Sequence, residues 1–104
     1  MKLMEQMAQK GRMHPVYTSH AEELEKLLLH NAVRLERYRA RKETGSAVYR
    51  MLFRMHSRCA ELYMRMLAED GEIMLVDDLD YWWIRKFCGI VRDVIDAEGA
   101  PQVG

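Results

Sequence analysis

The residues with the most metal-binding character are His56 and Cys59, which are three residues apart in a stretch of helical periodicity. Side chains at this spacing are neighbours on one helix face, and imidazole and thiolate are ligands that zinc prefers. A structural zinc site needs four ligands, and no second close pair supplies the others. Cys59 also falls in an apolar row. The pattern therefore does not favour a metal site, and we expect no cofactor.

Carboxylates cluster at Asp77, Asp78 and Asp80. Paired carboxylates can serve acid–base chemistry, but Asp77 or Asp78 is explained as the N-cap of a helix. The chain has no glycine-rich phosphate loop, no HExxH and no nucleophile elbow. Small helical dimers such as the helical chorismate mutases are enzymes through buried Arg, Lys and Glu, but no spacing here singles out such a set. We predict a protein that is not an enzyme, with a small helical enzyme as the less favoured alternative.

Charge is segregated along the chain although it sums to zero, with 16 basic and 16 acidic residues. The segment from Arg34 to Arg65 holds nine basic and three acidic residues, whereas Glu69 to Asp80 holds six acidic residues and no basic one. The basic stripe is a candidate phosphate-binding surface. It is equally a match for the acidic connector of a second subunit, or a solvated face. Zero net charge does not favour nucleic acid, which stays the alternative function.

The 104 residues fit one domain, and the apolar content of 49% is that of a folded chain. Two cysteines without a CxxC pair indicate reduced thiols, hence an intracellular, cytoplasmic protein. The opening MKLMEQMAQK lacks the apolar core of a signal peptide. The longest aliphatic run, Ile73 to Val76, is far shorter than the roughly 20 residues that cross a bilayer. We therefore expect no membrane partner.

The apolar periodicity predicts an all-α fold of three helices. Ser19 and Glu22 form a capping-box pattern at the start of helix 1, and Gly45 is a natural stop after it. Met1, Met4 and Met7 belong to an N-terminal arm. The predicted divisions are a flexible arm at 1–18, a helical domain at 19–98 and a tail at 99–104, with helices at about 20–43, from Ser46 to before Gly71, and at about 79–97.

Helix 2 carries two adjacent apolar seams, one containing Val48, Leu52 and Met55 and the other, one residue along, containing Tyr49 and Phe53. Such a wide apolar face predicts a helix that is buried on two sides. It is either the central helix of one chain or half of a dimer interface. A short extended segment at 72–76 needs a pairing partner, for which a second copy is one candidate. We expect a homodimeric helical bundle.

Tyr81, Trp82 and Trp83 are consecutive, so in a helix they point about 100° apart and cannot all enter one small core. At least one large ring is expected on the surface, where Trp and Tyr are frequent binding hot spots. The nine methionines add flexible apolar side chains, which fill cores or adapt to partners. The predicted partner-binding or dimer-interface residues are Leu24, Leu28, Leu35, Met51, Met55, Leu62, Met66, Tyr81, Trp82 and Trp83.

The layout from about residue 16 to residue 97 resembles the small helical quorum-sensing anti-activators of Gram-negative bacteria, which are directed at LuxR-type regulators such as LasR. The stretches that carry the resemblance are HAEELEKLLLHNAVRLERYR and YWWIRKFCGIV, together with chain size and helix arrangement. The resemblance implies a homodimer that binds a transcription activator and blocks its dimerisation or its contact with DNA. It assigns no individual binding residue.

Overall fold

A computed structural model describes residues 13–99 of the chain, so the predicted Met1, Met4 and Met7 arm and the tail after Gly99 lie outside the described residues. Within this range, no helix is both long and apolar enough to cross a bilayer. The prediction of three helices is confirmed. The elements are β1 His14–Tyr17, a 3-10 turn Thr18–His20, α1 Ala21–Ala40, α2 Ala47–Ala68, β2 Ile73–Val76 and α3 Asp78–Gly99.

The all-α prediction missed a small sheet. β1, which falls in the predicted flexible arm, pairs antiparallel with β2, with His14 opposite Val76 and Tyr17 opposite Ile73. The extended segment at 72–76 therefore finds its pairing partner in the same chain rather than in a second copy. A four-residue strand is stable here because its inner face packs on the helices, which a count of helical seams does not reveal.

Two of the predicted helix starts are confirmed in atomic detail. The Ser46 hydroxyl accepts the Tyr49 backbone N–H at 3.1 Å at the start of α2. At the start of α3, the Asp77 carboxylate accepts the Asp80 N–H at 2.8 Å. Each side chain satisfies one of the N–H groups that a helix start leaves without an intrahelical partner.

Helix 1 begins at Ala21, close to its predicted start at about residue 20, but the end signals predicted for it do not form. The capping box does not form, since Ser19 lies in the 3-10 turn, and the N-cap position is His20, which makes no side-chain cap. At the other end, Gly45 is not the stop. Lys42 adopts the left-handed conformation with φ 59°, and the N–H of Glu43 reaches the carbonyl of Tyr38 at 2.9 Å. This is a Schellman ending with lysine at the position that glycine usually takes.

The three helices and the inner face of the sheet enclose one main core. Met55, Leu62, Phe87 and Val91 of this core are almost completely buried. A smaller cluster of Leu35, Tyr49 and Leu52 extends the core toward the loop between α1 and α2. The inner part of the wide apolar face of α2 is thus buried within the chain, whereas Val48, Phe53 and Leu67 of the two seams stay exposed.

Candidate protein-binding surfaces

Six of the ten predicted interface residues are core residues of the single chain. None of them exposes more than 8% of its surface, because α1, α2 and α3 pack on these side chains together. Their assignment to an interface is therefore corrected to the core. The six are Leu24, Leu28, Leu35, Met55, Leu62 and Met66.

The other four predicted residues reach the surface to different degrees. Met51 and Trp82 expose 45% and 49% of their surface, whereas Tyr81 and Trp83 are partly buried. Tyr81 stacks on His14 of β1 with ring centroids 4.3 Å apart, and Trp82 contacts Trp83 edge-on at 5.0 Å. The prediction that at least one of the three consecutive rings lies at the surface is confirmed by Trp82.

The sheet has a buried face and an exposed apolar face. Val16, Met74 and Val76 point into the core, while Tyr17 and its opposite residue Ile73 point outward. The N-terminal turns of α3 follow β2 directly at the same end of the molecule. We call the following exposed apolar residues the sheet-end surface: Tyr17, Ile73, Leu75, Leu79 and Trp82.

A second exposed apolar surface borders the groove between α1 and α2. Two residues mark the side of α2 that meets α1: Tyr63, which lies close to Glu25, and His56, which contacts Asn31 at 3.2 Å. The neighbouring strip of α2 faces outward and carries exposed apolar residues. On α1, two further exposed apolar residues follow Glu25 at intervals of four. We call this set the α1–α2 face: Leu29, Val33, Phe53, Met64 and Leu67.

Sequence reasoning missed most of these surface residues. Tyr17 was placed in an arm, and the alternation of His14–Tyr17 was too short to indicate a strand. Leu29 and Val33 lie on α1 outside its buried row, where single exposed aliphatics are ordinary. Only the assembled fold shows that Glu25, at the head of their row, lies close to Tyr63 of α2.

The basic stripe is partly neutralised inside the chain. Arg58 donates to the buried carboxylate of Asp80 at 2.7 Å, and Arg65 lies 3.8 Å from the same carboxylate. The acidic connector therefore meets the basic helix within one chain. Arg50 and Arg54 are exposed, and no carboxylate among the described residues pairs with either. The free cations of α2 are thus two neighbouring arginines rather than a continuous stripe.

The thiol and imidazole of α2 are arranged for packing. Burial raises the pKa of the Cys59 thiol to about 12, and this thiol donates to the Trp83 carbonyl at 3.6 Å. The pKa of His56 is lowered, mainly by burial and secondarily by Arg39. Within residues 13–99, no group of three or more His, Cys, Asp or Glu side chains converges to hold a metal. A thiol held protonated is a poor nucleophile and a poor ligand.

An open cavity of about 500 Å³ lies between β1, α1 and α3. Leu24 contributes to its apolar wall, and Arg92 at its rim pairs with Glu23. Arg85, also in the wall, lies 5.6 Å from the centre of the Tyr81 ring. These charged groups are engaged by the protein itself, so we assign the cavity no ligand.

The described residues thus carry two exposed apolar surfaces, the sheet-end surface and the α1–α2 face. These surfaces are built from this chain's own fold. Comparisons with known proteins add no relative, since no protein-family model, curated protein or solved structure matches the chain.

Proposed function

We propose that this protein is a non-enzymatic regulator that binds and sequesters a transcription activator in the cytoplasm, in the manner of the quorum-sensing anti-activators that its layout resembles. The observation that carries the proposal is the sheet-end surface. Five large apolar residues there each expose about half or more of their surface at one end of the molecule. Apolar groups grouped in this way are typical of protein-binding sites.

The energetics favour a partner for this surface. Transferring apolar area from water contributes roughly 25 cal/mol per Å², so covering several large side chains supplies much of the free energy of a stable complex. Trp82 is the expected hot spot, since a large ring that becomes fully desolvated loses more on truncation than its neighbours do. Its contact with Trp83 limits its freedom before binding.

We propose that the active form is a homodimer joined through the α1–α2 face. Phe53 stacks on the buried ring of Tyr49, so it presents a fixed apolar surface to a second copy. This arrangement leaves the sheet-end surface free on each copy. The dimer buries the outer strip of α2 and part of α1, whereas the inner seam of α2 belongs to the single chain.

The mechanism we propose is stoichiometric. A tightly bound activator is removed from its active pool by mass action, and no bond needs to form or break. The bound regulator would be unable to use the surface that it needs for its own dimerisation or for DNA. The two free thiols, Cys59 and Cys88, are compatible with a reducing compartment.

The test begins with affinity capture from nuclease-treated bacterial lysate and identification of the captured proteins. A captured regulator is then purified and bound to its DNA, and release of that DNA is measured as this protein is added. Trp82→Ala is expected to weaken release by about 30-fold, as for a hot spot worth about 2 kcal/mol. Val48→Ala, which truncates an equally exposed apolar residue at the start of α2, is the matched control.

Two outcomes would contradict the proposal. In the first, no regulator is released from DNA at any ratio of the two proteins. In the second, the protein itself retains nucleic acid from untreated lysate, with an affinity that falls steeply with salt and is lost in Arg50→Gln and Arg54→Gln. Such salt dependence is the mark of phosphate contacts.

A further inference from the structure

The register of the sheet shows where the backbone groups of β2 point. The N–H of Thr18 bonds to the carbonyl of Glu72 at 2.9 Å, and this pair continues the ladder beyond Tyr17 and Ile73. Hydrogen-bonded and non-hydrogen-bonded pairs alternate along an antiparallel ladder. The backbone groups of Ile73 and Leu75 therefore point away from β1, toward the outer edge of β2.

The two edges of the sheet differ. On β1 the residues whose backbone points outward are Pro15 and Tyr17, and proline has no N–H to give. On β2 the outward residues are Ile73 and Leu75, which both have an N–H and a carbonyl. Within residues 13–99, no other backbone segment bonds to these groups. The outer edge of β1 therefore lacks one backbone N–H donor, whereas the outer edge of β2 has both the donors and the acceptors that an added strand would need.

The open edge also has a specific side-chain environment. Ile73 and Leu75 expose nearly half of their surface on the outer face, next to the edge. Carboxylates flank them, with Glu72 on one side and Asp77 on the other, both exposed. No cation among the described residues pairs with Glu72. An added strand would meet two apolar residues between negative charges.

We propose that the outer edge of β2 accepts an extended segment of a partner protein, which adds as a third strand, with apolar residues at alternate positions and lysine or arginine at its ends. Backbone hydrogen bonds to Ile73 and Leu75 supply the pairing, as in other cases of strand addition. The flanking carboxylates select the charge of the segment. The inference rests on the proposed function, because it specifies how the partner binds.

A second copy of the chain fits this edge less well. Antiparallel pairing of β2 with its copy, centred on Met74, would place Ile73 opposite Leu75 and satisfy the backbone. It would also bring Glu72 of each copy to the Asp77 end of the other, so that only negative charges meet. Like charges placed opposite each other on neighbouring strands are destabilising, and edge charges are a common device against self-pairing.

The experiment is a nuclear magnetic resonance titration of the ¹⁵N-labelled full chain with the peptide acetyl-Lys-Lys-Val-Thr-Val-Thr-Val-Lys-Lys-amide. The amides of Ile73 and Leu75 are expected to shift and to become protected from hydrogen exchange. Leu75→Pro removes one outward N–H without touching the β1 ladder, as Pro15 does opposite it. It is expected to weaken peptide binding at least tenfold, while Leu75→Thr, which keeps the N–H, restores most of it.

A surface charge swap tests the selectivity without risk to the fold. Glu72→Lys is expected to weaken binding of the lysine-flanked peptide and to strengthen binding of the same peptide with glutamate ends. The inference is overturned if the peptide shifts neither amide, if Leu75→Pro binds it as tightly as the parent does, or if both amides are already protected in the protein alone. The last result would indicate pairing with a second copy.

The same variants separate this inference from the proposed function. If Leu75→Pro loses the peptide but releases a regulator from DNA as well as the parent does, the target does not use the β2 edge, and only the strand inference fails. If the peptide binds as expected but no regulator is released from DNA, the edge binds strands and the sequestration proposal fails.

Discussion

Asn31 and the partly buried His56 form a polar contact at the edge of the apolar core. Asn31 is fully buried, and its amide nitrogen lies 3.2 Å from Nδ1 of His56. Since an amide N–H donates, Nδ1 accepts and the neutral imidazole carries its proton on Nε2. A protonated imidazole would place an N–H against another N–H. With the amide in this orientation the contact is made by neutral His56, in agreement with its pKa, which burial lowers.

Folding stability is expected to fall as the pH drops below the ordinary histidine pKa of about 6.5. The unfolded chain takes up the His56 proton there, while the folded chain resists it, so the proton favours unfolding. His56→Gln keeps an acceptor for Asn31 and should remove this part of the pH dependence. Urea unfolding of both proteins between pH 7.5 and 5.5 checks it. If the free energy of unfolding changes with pH by the same amount in both proteins, His56 does not cause the pH dependence.

Lys42 is the described non-glycine residue with positive φ, and it terminates α1. A left-handed conformation costs a residue with a Cβ about 1 kcal/mol, which glycine avoids. Lys42→Gly is therefore expected to raise the free energy of unfolding by about 1 kcal/mol. Lys42→Ala, which also removes the charge but keeps the Cβ, should not. Chemical denaturation of the parent and both variants measures this free energy. If Lys42→Ala is stabilised as well, loss of the charge rather than relief of the backbone conformation is the cause.

At the level of elements, the sequence predicted those helix starts that depend on contacts between residues close together in the chain. Ser46 and Asp77 are helix caps because each bonds an N–H three residues on, a range that the sequence alone defines. Ser19 has the same pattern, yet the chain arrives there from β1 through a 3-10 turn, and the cap is lost. The pairing of β1 with β2 joins residues about 60 positions apart. No local pattern specifies such a pair.

Asp80 connects two elements, since its buried carboxylate on α3 is held by Arg58 and Arg65 of α2. Asp80→Asn is expected to lower the free energy of unfolding by about 1.5 kcal/mol, because it removes the buried charged acceptor of Arg58 and Arg65, whose guanidinium groups remain half exposed to water. Glu61→Gln removes the exposed partner of Arg58 and should cost less than about 0.5 kcal/mol. Denaturant unfolding measures both variants. If Asp80→Asn loses as little free energy of unfolding as Glu61→Gln does, the contact between α2 and α3 is stabilised mainly by apolar packing.

For the molecule as a whole, periodicity predicted which apolar residues share a helix face. It did not predict which of these faces are buried within the single chain. Leu24 and Met66 follow helical rows as an interface residue would, and they are core. Leu29 lies outside those rows and Phe53 lies within the second seam of α2, yet both are exposed. Burial depends on how the three helices and the sheet assemble, so the candidate surfaces could be identified only from the fold. Trp82 is the residue at which both approaches agree.

The proposed dimer makes a prediction at this scale. Phe53→Lys places a charge in the α1–α2 face and is expected to weaken self-association at least tenfold, whereas Met51→Lys, equally exposed on another side of α2, should leave it unchanged. Sedimentation velocity at micromolar concentration measures both. A monomeric parent protein under these conditions would exclude the dimer.

Pro15 has a consequence for the size of any assembly built on the sheet. A sheet with two usable edges can be extended from both sides, and chains joined in that way propagate into filaments of unlimited length. Here Pro15 withholds a donor on the β1 side while β2 stays available. Growth is therefore possible in one direction only, and it stops after the first addition when the added strand has no copy of β2 behind it. The protein can offer a strand template without acting as a seed for aggregation.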